Sequence, residues 1–189
     1  MLIMLEIRIH GRGGQGAVTS VELMALAAIE EGKYAQGFPS FGPERRGAPV
    51  TAFSRIDDRP IRLRSKIYNP DVVVVLDPSL LGVANPTAGL KEEGTMIINT
   101  HKSEQEIRST YGIKNRLALV DAYKIAREEL GLPITNTTMI GALIGSIEIL
   151  KNESLEAPIR ERFGKIAEKN IKAFKRASKE LKIYPAVKK

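Results

Sequence analysis

The sequence has no cysteine, no tryptophan and only two histidines, His10 and His101. Without cysteine the chain forms no disulfide, no cysteine-ligated zinc site and no iron–sulfur cluster on its own thiolates. Two widely separated histidines give no reason to expect a self-contained transition-metal site. Aromatic residues are scarce, at 5%. Long apolar runs are lacking too. The longest stretch, Ile134–Leu150, contains Thr135-Asn136-Thr137-Thr138 and Glu148; it is too short and too polar to span a bilayer. The first ten residues carry Glu6 and Arg8 and so lack the continuous apolar core of a secretory signal. The expected location is therefore the cytoplasm, with neither membrane nor nucleic acid as partner.

What is present fits one globular domain over residues 1–189, with 43% hydrophobic and 27% charged residues. The formal charge of +7 is unevenly placed. Residues 1–150 hold 17 basic and 17 acidic side chains; residues 151–189 hold 12 and 5. The body is neutral and the excess lies in the last segment.

Leu5–His10 alternates as a strand does, and runs into Gly11-Arg12-Gly13-Gly14-Gln15-Gly16. A helix follows over Ala17–Glu31, stopped at Gly32. Tyr34–Phe38 reads as a strand and Pro39–Pro49 as a Gly/Pro-rich loop. Val50–Ile56 and Ile61–Ile67, around Asp57-Asp58-Arg59-Pro60, read as an antiparallel hairpin. Asp71–Asp77 (DVVVVLD) reads as a strand buried on both faces. Thr95–Asn99 and Leu117–Asp121 are further short strands. Helices are expected over Ala122–Leu130, Thr137–Leu150, Leu155–Phe163 and Lys165–Ile183. Alternating strands and helices predict an α/β fold: a three-layer αβα sandwich, Rossmann-like, on a mainly parallel sheet with an antiparallel hairpin.

The strand–GRGGQG–helix junction is the sharpest local signal. Gly11, Gly13 and Gly16 have the spacing that lets a tight turn bring backbone N–H groups and a helix N-terminus to a phosphate. Three readings stay open: a tight βα turn without ligand, a site for a phosphate-bearing ligand, and an NAD or FAD site. The last is disfavoured, because the strand Tyr34–Phe38 ends without the acidic residue that would hold a ribose.

Gly11–Ala17 (GRGGQGA), Glu31–Phe41 (EGKYAQGFPSF), Gly42–Phe53 (GPERRGAPVTAF), Asn69–Asp77 (NPDVVVVLD) and Asn136–Leu143 (NTTMIGAL) together resemble the gamma subunit of pyruvate:ferredoxin oxidoreductase, within the 2-oxoacid:ferredoxin oxidoreductase family. The resemblance covers about residues 5–180. It implies a complex with alpha, beta and delta subunits that oxidatively decarboxylates pyruvate with CoA to acetyl-CoA and CO2, with ferredoxin as acceptor. Thiamine diphosphate, Mg²⁺ and iron–sulfur clusters would belong mainly to the other chains. This chain would bind no cofactor alone, carry no catalytic or metal-ligating residue, and serve as a structural, CoA-side subunit that is inactive when isolated. Arg45-Arg46-Gly47-Ala48-Pro49 resembles both the pyruvate and the branched-chain 2-oxoisovalerate types, so either substrate remains open. The remaining alternatives are a free-standing Rossmann-like nucleotide-binding protein and an adaptor for nucleic acid or membrane working through the basic C-terminal helix.

The candidate binding residues are Gly11, Arg12, Gly13, Gly14, Gln15 and Gly16 of the loop, with Arg45, Arg46, Asn136 and Thr137. The two arginines suit phosphates or the acidic groups of a partner, or form plain ion pairs. Asn136-Thr137-Thr138 opens a helix and suits capping, or a phosphate at that helix start. Gly141 and Gly145 are expected to let this helix pack closely on the sheet. Asp77, Asn99 and Asp121 end three strands and read as helix caps first. His10 is read as structural for want of an orienting partner. In the last segment Phe163, Ile166, Ile171, Phe174, Ala177 and Leu181 share one helical face. Lys165, Lys169, Lys172, Arg176 and Lys179 occupy the other, facing solvent or an acidic partner.

Overall fold

A computed structural model describes residues 4–40 and 46–187. Seven strands form one mixed sheet in the order β2-β3-β1-β4-β5-β6-β7. They are β1 (Leu5–Arg12), β2 (Tyr34–Pro39), β3 (Pro49–Asp57), β4 (Val72–Val75), β5 (Thr95–Asn99), β6 (Arg116–Val120) and β7 (Lys182–Tyr184). The central strands β1, β4, β5 and β6 are parallel, while β3 and β7 pair antiparallel to their neighbours. The unbroken valine run explains β4. All four of its residues are buried, and successive side chains point to opposite faces, so an apolar residue is needed at every position.

The helices are α1 (Ala17–Glu30), α2 (Glu104–Tyr111), α3 (Ala122–Leu130), α4 (Asn136–Ile147), α5 (Asn152–Phe163) and α6 (Ala167–Glu180). One face of the sheet packs against α1, α3, α4, α5 and α6, through Ile7, Ile9, Val72, Val74, Ile97 and Ala118. The opposite face carries Val73, Val75, Met96, Ile98 and Leu119 under α2 and a 3-10 turn at Pro78–Leu81. The sandwich thus has three unequal layers. Among the described residues α4 is buried along nearly its whole length. Its glycines, Gly141 and Gly145, face the backbone of α6 at Phe174 and Ser178 rather than the sheet.

Several local expectations change. The antiparallel hairpin exists, but it joins β2 to β3, and β3 continues into pairing with β1. Residues 61–67 lie outside the sheet. The reason is topological: both hydrogen-bonding edges of β3 are already occupied, so a further strand beside it has nowhere to pair. The long C-terminal helix is shorter than the expected 165–183. A 3-10 turn at Gly164–Ile166 precedes α6, and Lys182–Tyr184 form β7 against β6. On the basic face Lys165, Lys169, Lys172 and Lys179 are exposed as expected. Arg176 instead bridges Glu128, Glu129 and Glu180 at 2.6, 3.0 and 2.6 Å. Helix α2, held by a Ser103–Glu106 capping box, was not expected from its polar sequence.

Candidate functional site

The chain leaves β1 on one side of the sheet, into β2 and β3, and returns on the other, into β4, β5 and β6. The carboxyl ends of β1 and β4 therefore flank the crevice where open parallel sheets hold ligands. Here that crevice is bridged from within. Arg12 Nε lies 3.3 Å from Asp77 Oδ2. Arg12 Nη2 donates to Ser79 Oγ at 2.7 Å, and Nη1 donates to the Gly47 carbonyl at 2.9 Å. Gln15 Nε2 donates to Asp77 Oδ2 at 2.9 Å and its Oε1 accepts from Arg12 N at 2.8 Å. The Tyr123 hydroxyl stands 3.5 Å from Gln15 Nε2. Ser79 also donates from both its backbone N and its hydroxyl to Asp77 Oδ1.

These contacts set the local electrostatics. Burial pushes the Asp77 carboxyl up, but hydrogen bonds from Ser79 and Gln15, with the Arg12 guanidinium, together hold it below the ordinary carboxylate value. Burial, with the nearby Asp77 charge, pushes the Tyr123 phenol up. Both groups keep their neutral-pH forms, an ionised Asp77 and a protonated Tyr123.

Two of the loop glycines have a clear mechanical reason. Gly14 and Gly16 have φ of 93° and 81°, in the left-handed region that side chains rarely adopt. Gly16 ends the loop at α1 and lies against Asn136 at the start of α4; a Cβ there would be 2.8 Å from Asn136 Nδ2. The backbone is tied to the segment before β3, with Gly13 N donating to the Ala48 carbonyl at 2.9 Å and Gly47 N to the Gly13 carbonyl at 3.2 Å. Gln15 N donates to the Arg12 carbonyl at 2.9 Å. Two amides that a phosphate would use, those of Gly13 and Gln15, are thus turned inward. On the outer side remains a cleft of about 260 Å³ lined by Arg12, Gly13, Gly14, Gly16, Thr19 and Thr51, among others.

Residues 6–180 match the family described as pyruvate ferredoxin/flavodoxin oxidoreductase. The chain belongs to this family. It is 56% identical over 183 residues to the pyruvate/ketoisovalerate oxidoreductases common subunit gamma of Pyrococcus abyssi, covering 96% of this chain and 99% of that one. It is 50% identical over 181 residues to the pyruvate synthase subunit PorC of Methanothermobacter marburgensis, covering 95% and 98%. The crystal structure of pyruvate oxidoreductase subunit PORC from Thermotoga maritima superposes with a TM-score of 0.86 at 39% identity, covering 95% and 98% of the two chains.

In this gamma-type chain the expected site residues fall into three groups. Gly11, Arg12, Gly13, Gly14, Gln15 and Gly16 come together at the crevice, joined by Asn136 through Gly16. Thr137 is fully buried, and its hydroxyl donates to Asn170 Oδ1 at 2.8 Å. Arg46 is exposed beside Gly47, and Arg45 lies outside the described residues. Asn99 and Asp121 are caps. Asn99 Oδ1 accepts from Ala122 N and Tyr123 N, and Asp121 Oδ1 accepts from Lys124 N. Asp77 does more than cap. It also anchors Arg12 and Gln15. Neither that role nor the participation of Ser79 and Tyr123 has a local sequence signal, since the partners lie 62 to 108 positions apart. His10 is buried. Burial, with the Arg8 charge adding to it, pushes its imidazole down to about 4, so it is neutral at pH 7.

Proposed function

We propose that this chain is the gamma subunit of a cytoplasmic complex that oxidatively decarboxylates pyruvate with CoA, yielding acetyl-CoA and CO2 and reducing ferredoxin. The observation that carries the reading is the 56% identity to a gamma subunit across nearly the full length of both chains. The same relative is named for both pyruvate and ketoisovalerate oxidoreductases, which favours service to a branched-chain 2-oxoisovalerate complex as the second reading.

The chain's own residues do not fit the redox groups such a complex needs. There is no cysteine to hold a cluster. Among the described residues no group of three or more His, Asp or Glu is arranged for a metal ion. We assign thiamine diphosphate, Mg²⁺ and the clusters to the alpha, beta and delta chains, and propose that catalysis resides there and needs the assembled complex.

Its part is to present a rigid edge on the CoA side. Gly14 and Arg46, with Arg45, are the groups we assign to direct contact with CoA phosphates or with the chain that frames them, while the Gly13 backbone is tied to the segment before β3. Arg12 and Gln15 hold the loop in shape through Asp77, and Gly11 and Gly16 let its backbone pack against Leu76 and Asn136. Asn136 holds the start of α4 against the loop, and Thr137 ties that start to Asn170 of α6. The internal Arg12–Asp77–Gln15 bridge speaks against a free-standing dinucleotide-binding protein, because it fills the crevice a pyrophosphate would take. Purification at native levels tests this reading. Copurification with cysteine-rich chains and thiamine diphosphate supports it; recovery of a lone chain that binds NAD(H) at micromolar concentration overturns it.

A further inference from the structure

The segment between β3 and β4 carries a strand pattern without a sheet partner. Ile61-Arg62-Leu63-Arg64-Ser65-Lys66-Ile67 alternates apolar or small with cationic residues. Ile67 is buried and Ile61 half-buried, while Arg59, Arg62, Arg64 and Lys66 are exposed. The segment is pinned at its two ends. Gln36 Nε2 donates to the Ile61 carbonyl at 3.3 Å, and Arg8 Nη1 donates to the Tyr68 carbonyl at 3.5 Å. Between these pins, the backbone groups of residues 62–66 have no hydrogen-bond partner among the described residues.

The side chains are equally unpaired. Arg12, Arg55, Arg108, Arg160 and Arg176 all meet carboxylates, and on α6 even Lys175 meets Glu156. The side chains of Arg59, Arg62, Arg64 and Lys66 have no such partner among the described residues. The nearby acids are already engaged: Asp57 accepts from Arg59 N, and Asp71 accepts from Glu6 N and Lys91. Beneath the Tyr68 end lies a further cation. Arg8 is buried, and its guanidinium donates to the Tyr68, Pro86 and Ala88 carbonyls. Leu63 and Tyr68 are 47% and 70% exposed beside these charges. Arginine and tyrosine around an exposed aliphatic residue is the composition of a protein interface.

We propose that Arg59–Tyr68 is a docking strip for an extended acidic segment of a partner polypeptide. Arg62, Arg64 and Lys66 all face solvent along this strip, with a bend at Ser65; a visiting segment carrying several Asp or Glu residues meets their charges. The unpaired backbone between the pins can hydrogen-bond to that segment. The strip begins after Asp57, at the N-terminal end of β1 and so at the opposite end of the sheet from the glycine loop. It is an interface separate from the loop and does not depend on the gamma-subunit reading. A nucleic acid fits less well, because Tyr68 is the one aromatic ring of the strip and stacking needs several.

Isothermal calorimetry on the full chain tests this, with a (Glu-Val)6 dodecapeptide as probe at low salt. The wild type binds it, and binding weakens as salt rises. Arg62→Glu/Arg64→Glu/Lys66→Glu weakens it at least tenfold, as does the milder triple Gln variant should the reversal not fold. Lys165→Glu/Lys169→Glu/Lys172→Glu changes it less than twofold. The proposal is overturned by absence of wild-type binding, by unchanged binding in both strip variants, by equal binding of (Lys-Val)6, or by tighter binding of a 20-nucleotide single-stranded DNA.

Discussion

The carbonyl oxygen of Phe174 faces Gly141 so closely that a methyl group added to the glycine would sit 2.0 Å from it. Four residues on, Gly145 meets the Ser178 carbonyl in the same way, at 2.9 Å. The two glycines form a groove on α4 into which the α6 backbone settles. α4 in turn positions Asn136 against the glycine loop, so helix packing and site geometry are one structure.

Gly141→Ala therefore overpacks the α4–α6 contact. The expected loss is about 3 kcal/mol, or roughly a 6–12 °C fall in Tm for a chain of this size. Thermal unfolding followed by circular dichroism measures it. An unchanged Tm contradicts the close approach.

Asp77 holds Ser79, Gln15 and Arg12 together. Replacing it with Ala removes hydrogen bonds to a charged acceptor and should cost about 2 kcal/mol in urea unfolding. Limited proteolysis should become faster near Gly13 and Gly47, the two residues Arg12 and the loop tie together. A variant as stable and as resistant as wild type would mean that the bridge does not hold the crevice.

His10 gives a pH signature. Its folded value, about 4, lies below the ordinary 6.5, so the folded protein resists a proton that the unfolded chain accepts. The stabilisation is complete above pH 6.5 and is lost as pH falls from there through about 4, amounting to about 3 kcal/mol. Asp77 and Glu31, both held below ordinary carboxylate values, lose their contributions at lower pH, below about 4.5. Urea unfolding at pH 7.0, 5.5 and 4.5 should show the first decline, and His10→Gln should flatten it.

The start of α2 rests on its cap. Ser103 Oγ accepts from Glu106 N, while the Glu106 carboxylate accepts from Ser103 N at 2.9 Å. Ser103→Ala should cost about 1 kcal/mol in chemical denaturation.

Much of this was legible in the sequence. The DVVVV run, the LEIRIH alternation and the glycine junction encode β4, β1 and the turn into α1, because burial period and backbone freedom are local properties. The Ile61–Ile67 alternation misled, because its strand pattern is real while its sheet partner is missing. Pairing depends on β3 being occupied on both edges, a non-local fact. β7 was hidden for a related reason: Lys182–Tyr184 is only three residues long and follows a helical pattern, and only the open edge of β6 makes it a strand. At the site, glycine spacing was visible, whereas the Arg12–Asp77–Ser79 bridge joins residues far apart in sequence. The box Ser103–Glu106 was a readable signal for α2 that the polarity of the helix obscured.

If the loop faces CoA within the complex, charge reversal at the exposed Arg46 acts on binding more than on chemistry. Arg46→Glu should raise the KM for CoA roughly tenfold, a change of about 1.4 kcal/mol, with kcat little altered. A fall in kcat at constant KM would place Arg46 elsewhere in the mechanism.

The most direct measurement compares pyruvate- and CoA-dependent reduction of ferredoxin by three preparations: this chain alone, the remaining chains without it, and the recombined set. The gamma-subunit reading predicts activity only, or overwhelmingly, in the recombined set. Activity from this chain alone, or full activity without it, would contradict that reading.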